Sequence, residues 1–207
     1  MRPTDYPDRQ TSIKKLTEFS HYWTNQITQW KNDGITNVER QYAQPFWTDF
    51  LSCFGINAGR VALFERRAKR ANTQGAGFID IFMPAMVIGE AKSLGRDLDA
   101  AQEQVDDYLA GGSVTDAEFP KYSIVTDFEH LILTRLDGTA DDVEIHISNI
   151  AEHYDSFLFL IGKETITKAE EEEASIHAAQ LMADLYTSIM GEDTDAPVGE
   201  EAPEDPE

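Results

Sequence analysis

Asp80 stands ten residues before Glu90, and Lys92 follows Glu90 by two. The residues between are mostly apolar, interrupted by Met83-Pro84-Ala85, which reads as a turn. A strand that only fills a core avoids charge, because a buried unpaired charge is strongly destabilising. Two carboxylates and a lysine on neighbouring strands therefore need a partner, and a divalent cation is one. Hard oxygen ligands select Mg²⁺ or Mn²⁺ over zinc. Such a cation polarises a phosphoryl oxygen and lowers the pKa of a water. Lys92 would orient that water and offset the charge that builds on a pentacovalent phosphorus. On residue types alone the alternative is a surface carboxylate pair beside a solvated lysine, since D-x9-E-x-K also arises by chance.

Strand alternation puts Glu90 and Lys92 on one face. The direction of Asp80 depends on hairpin register. With the turn centred on Pro84, Asp80 lies opposite Ile88 and diagonal to Glu90, roughly 7–8 Å between Cβ atoms. Downstream, Asp97 is a good N-cap for a helix running to about Leu109. Gln104 and Tyr108 are four apart on it and share a face. If that helix crosses the hairpin, Gln104 reaches a water or a phosphate, and Tyr108 reaches a carboxylate or a DNA backbone oxygen. Ordinary helix surface and core is the other reading of both.

Around this hairpin the periodicities alternate. Ile13, Leu16, Phe19, Trp23, Ile27 and Trp30 advance at the helical period, and Asn32-Asp33-Gly34 ends that helix. A second helix is expected over Val38 to Phe54. Three strands follow, from Val61 to about Lys69, Phe78 to Phe82 and Met86 to Lys92. After the Asp97 helix come strands at 122–126 and 131–134, a short strand at 143–147, and a helix or turn at 150–157. The order implies an α/β fold with a mixed sheet flanked by helices. Ile176, Leu181, Leu185 and Ile189 mark a C-terminal helix whose apolar side needs a partner. Residues 1–10 and the tail from Gly191 read as disordered.

The formal net charge is −21. Residues 164–207 hold fourteen acidic residues against Lys168 alone, a net of −13, which leaves −8 for residues 1–163. Overall acidity argues against a nucleic-acid partner, but most of it lies in the C-terminal segment. The first part carries a basic cluster of Arg60, Arg66, Arg67, Lys69 and Arg70, either a solvated strand edge or a DNA phosphate contact. No apolar run approaches the ~20 residues that span a bilayer, and no signal peptide opens the sequence, so a cytoplasmic location is expected. Cys53 is the only cysteine and has core-like neighbours. The five histidines show no ligand spacing.

These residues resemble the PD-(D/E)XK nuclease superfamily. Asp80, Glu90-Ala91-Lys92 and the Gln104-x-x-x-Tyr108 helix carry the likeness. A closer resemblance is to the N-terminal nuclease region of MmeI-like Type IIG/IIL enzymes, which join restriction and DNA adenine methylation in one chain. It rests on Pro45-Phe46-Trp47-Thr48-Asp49-Phe50, Phe54-Gly55-Ile56, residues 60–65, residues 89–98 and residues 119–128, and runs from about Trp30 to Ile189. The resemblance implies a Mg²⁺-dependent (or Mn²⁺-dependent) DNA endonuclease module of a restriction-modification, phage-defence system. Asp80 and Glu90 would be its metal ligands, Lys92 its catalytic lysine, and Gln104 and Tyr108 further site residues, with Glu39 or Glu65 adding to the acidic cluster. Residues 1–33 would form a helical arm, 34–163 the nuclease domain, 164–190 the start of a helical spacer and 191–207 an acidic tail. Methyltransferase motifs are absent from these 207 residues, so S-adenosylmethionine is expected only if that part exists elsewhere. Expected partners are DNA, a methyltransferase or target-recognition polypeptide at 174–189, and a second copy, since cutting both strands takes two active centres. Two other classes compete: a non-catalytic assembly module docking through 174–189, and an acidic DNA mimic, which would not need the basic cluster.

Overall fold

Asp8 starts the first helix, its carboxylate accepting from the Thr11 N–H at 2.8 Å. In the computed structural model, residues 6–61, 63–69, 76–163 and 168–191 are described, with side chains for 6–59, 79–163 and 175–189. Helix α1 (Arg9–Asp33) ends where Gly34 takes φ of 67°, as the Asn-Asp-Gly signal implies. Its stripe of Leu16, Phe19, Trp23, Ile27 and Trp30 is buried. The expected disorder of residues 1–10 is corrected for residues 6–10. Tyr6 packs against the core, and Pro7 sits where a side chain at Gly55 would have to go. Residues 1–5 lie outside the described part.

Helix α2 (Glu39–Cys53) lays Phe46, Trp47, Phe50 and Leu51 against α1 in the same apolar cluster. Aromatic rings hold the layer together, with Trp23 5.1 Å from Phe46 and Phe46 5.4 Å from Phe128 between centroids. A short helix α3 (Ala58–Val61) follows. Cys53 is buried, and burial pushes its thiol up to about 12, which suits a core residue and not a nucleophile.

Among the described residues, six strands form one mixed sheet in sequence order: β1 (Leu63–Lys69), β2 (Ala76–Met83), β3 (Val87–Ala91), β4 (Tyr122–Thr126), β5 (His130–Arg135) and β6 (Val143–His146). Among the described strands only β3 and β4 pair in parallel, because helix α4 (Leu98–Ala110) connects them as a crossover. Ala101, Val105 and Tyr108 of α4 cover Ile79, Phe82, Ile88 and Val125 on one face. Ile81, Val87, Ala91 and Ile124 turn to the other, against α1, α2 and a 3-10 segment (Ile147–Ile161). That segment is kinked at His153, and it lengthens the helix or turn expected at 150–157.

The chain divides into two units, Met1–Thr165 and Ile166–Glu207. In the second, helix α5 (Lys168–Gly191) has Ile176, Leu181, Met182, Leu185, Tyr186 and Ile189 exposed. The acidic tail beyond Gly191 lies outside the described residues. No described helix is long and apolar enough to cross a membrane.

Candidate active site

The β2–β3 hairpin sets the geometry. Ile81 pairs with Gly89, Phe82 with Ile88 and Met83 with Val87. Its turn therefore centres on Ala85, which holds φ of 59° and donates its N–H to the Glu118 carbonyl at 2.9 Å. The turn expected at Pro84 is thus corrected by one residue. The observed register carries Asp80 to the position across from Glu90, one step closer than the expected diagonal. The β1–β2 register runs through this position without a shift, Phe64 pairing with Ile81 and Arg66 with Ile79. Ile79 and Phe82 both join the α4-side cluster, while Ile81 joins the opposite one. The Asp80 Oδ2 accepts the Ala91 N–H at 2.7 Å.

Glu90 is almost wholly buried on the α4 face. Its Oε1 accepts from Lys92 Nζ at 2.7 Å and from Gln104 Nε2 at a very short contact. Lys92 Nζ also donates to Gln104 Oε1 at 2.8 Å. Gln104 Nε2 reaches the Tyr108 hydroxyl at 3.1 Å. The four side chains on β3, on the segment just after it and on α4 thus form one network. Tyr108 is fully buried, so its ring is core and its hydroxyl orients Gln104. That burial leaves the Tyr108 hydroxyl against Gln104 and not at the solvent surface.

Burial raises the Glu90 carboxyl to about 8, with the neighbouring negative charge of Asp80 adding to the shift. Lys92 opposes the rise, and Glu39 raises it further. Glu39 belongs to this cluster: at the start of α2 its Oε2 accepts the Ser93 N–H at 3.2 Å. Ser93 also donates its hydroxyl to Asn37 Oδ1. The side chain of Glu65, and those of the proposed DNA contacts Arg66, Arg67 and Lys69 on edge strand β1, lie outside the described side chains, and Arg70 lies outside the described residues.

One supporting residue was not foreseen from spacing. Buried Asp127, just after β4, accepts the Gly95 N–H on Oδ2 and the Glu129 and His130 N–H groups on Oδ1. It fixes the loop that follows Lys92 to the end of the neighbouring parallel strand. The signal was an Asp directly after a buried strand, the position of an Asx turn.

Glu90 Oε2 is a buried oxygen with no hydrogen-bond partner. An unpaired buried carboxylate oxygen beside a second carboxylate suits a hard cation. No group of three or more His, Cys, Asp or Glu residues is arranged for a metal among the described residues. Mg²⁺ does not require one, since it is commonly held by one or two carboxylates with waters and substrate phosphates. The residues present fit a magnesium or manganese ion on Asp80 and Glu90.

The family model described as the MmeI N-terminal domain matches residues 14–192. No curated protein and no solved structure matches the chain. With most of its length covered by that match, the chain belongs to the MmeI N-terminal domain family.

Proposed function

We propose that this chain is a Mg²⁺-dependent DNA endonuclease module of a restriction-modification enzyme, hydrolysing phosphodiesters at Asp80, Glu90 and Lys92. Membership of the MmeI N-terminal domain family supplies the restriction context. The observation that carries the chemistry is Glu90: buried, beside Asp80, and left with one unpartnered oxygen while Lys92 and Gln104 hold the other. When bound by Asp80 and Glu90, a divalent ion supplies Lewis-acid polarisation of a phosphoryl oxygen and a more acidic water. The chain's own residues do the rest. The Ala91 N–H fixes the Asp80 carboxylate. Gln104 holds both Lys92 and Glu90 and is itself braced by Tyr108. Lys92 keeps its ammonium at the site mouth, where its side chain is 18% exposed, to stabilise charge building on the phosphorus. Supercoiled-plasmid cleavage in Mg²⁺, Mn²⁺ and EDTA tests this. Wild type should nick only with metal, and Asp80→Ala and Lys92→Ala should lose at least about a hundredfold. Equal activity in all three proteins would refute the site.

A second reading has its own observation. The exposed apolar residues of α5 support docking of a methyltransferase or target-recognition polypeptide there. Capture of such a polypeptide that depends on residues 174–189, with no metal-dependent cleavage, would favour an assembly module over a nuclease.

A further inference from the structure

We infer that Arg40 and Arg96 form a DNA phosphate clamp beside the Asp80–Glu90–Lys92 site. The inference rests on the nuclease reading above and adds to it the residues that hold the nucleic-acid backbone. In an acidic unit, most cations of known placement are already committed. Arg9 pairs with Asp155, Lys14 with Glu18, Lys31 with Glu129, Lys92 with Glu90 and Arg135 with Asp137. Lys15 donates to the Ser52 carbonyl, and Lys121 also has an interaction. Arg40, Arg96 and Lys163 are exposed, and among the described residues no ion pair or side-chain hydrogen bond engages them.

Two of these three flank one contact. Arg40 follows Glu39, and Arg96 follows Ser93 by three residues in a turn closed by Arg96 N–H to the Ser93 carbonyl at 3.1 Å. The Ser93 N–H to Glu39 bond joins the two segments, directly after Lys92. The carboxylate next to Arg96 is otherwise employed: Asp97 caps α4 by accepting the Asp99 N–H at 2.9 Å. Two exposed guanidinium groups on segments joined at this contact are free to meet a ligand. They match the bidentate demand of phosphate oxygens. They would also lower the repulsion that a polyanion meets near Asp80, Glu90 and Glu39.

The test is duplex-DNA binding by the full chain, read by fluorescence anisotropy across a salt series. Ca²⁺ replaces Mg²⁺ to hold cleavage down. Arg40→Ala plus Arg96→Ala should weaken binding about tenfold or more at low salt. Each lost phosphate contact should reduce the slope of log affinity against log salt by about one. Lys163→Ala, the exposed cation remote in sequence from the site, should match wild type, and all proteins should share one melting temperature. A double variant with wild-type affinity and salt slope overturns the clamp and leaves the nuclease reading standing. A wild-type chain that neither binds nor cuts DNA overturns both.

Discussion

At the residue scale, Glu90 decides the behaviour of the ion-free protein. Its folded pKa of about 8 lies above the usual 4.5. The folded state therefore keeps a proton that the unfolded chain has lost between those values. Stability falls as pH rises from about 4.5 to about 8 and levels off above it. Glu90→Gln removes the titration and should stabilise the ion-free protein at pH 9 by on the order of a few kcal/mol. Urea unfolding at pH 5 and pH 9 checks this, and a gain equal at both pH values would contradict it. The same proton competes with a cation, so metal affinity should rise through the pH range around 8 and then flatten. Gln104 acts through its neighbours: Gln104→Leu should leave Lys92 mobile and lower the turnover number more than it changes the Michaelis constant for DNA.

At the scale of elements, β3 is squeezed between α4 and the aromatic layer. A methyl group at Gly89 would run into Ile81 Cγ2 and lie 3.1 Å from the Trp47 ring. Gly89→Ala should cost about 1–3 kcal/mol, read as a lowered denaturant midpoint, and should displace Glu90 next to it. An unchanged midpoint would contradict this, showing that Ile81 and Trp47 both yield. The elements themselves were legible from local signals. The helical stripe from Leu16 to Trp30, the Gly34 stop and the Asp97 cap each act within a few residues, so spacing alone reveals them. The candidate site was proposed from residue types, since charge inside an apolar hairpin is destabilising unless a partner compensates it. Its register was not legible. With Ala85 at the tip, its N–H meets the Glu118 carbonyl, a contact from beyond α4 that no local pattern encodes. Nor could spacing show that Ile79 and Ile81 join different apolar clusters, or that Pro7 is seated over Gly55. Asp127 was missed for the same reason, since the loop it secures comes from a different strand.

At the scale of the whole molecule, acidic charge is concentrated in the C-terminal segment. The fold around the sheet buries most of its described aromatic residues, Tyr22 and Phe119 being exposed, whereas α5 leaves Leu181, Leu185 and Ile189 exposed within a segment of net charge −13 drawn from fourteen acidic residues and Lys168. Leu181→Glu with Leu185→Glu should change stability by less than about 0.5 kcal/mol per site. A large loss of melting temperature would show that this face is covered. The central claim is that positions 80 and 90 hold one divalent ion next to Lys92. Mn²⁺ binding followed by electron paramagnetic resonance at pH 8 tests it without requiring the module to cut DNA. Wild type and Lys92→Ala should each take up a bound ion, and Asp80→Ala should not. Equal uptake by all three, or none by wild type, would contradict the account.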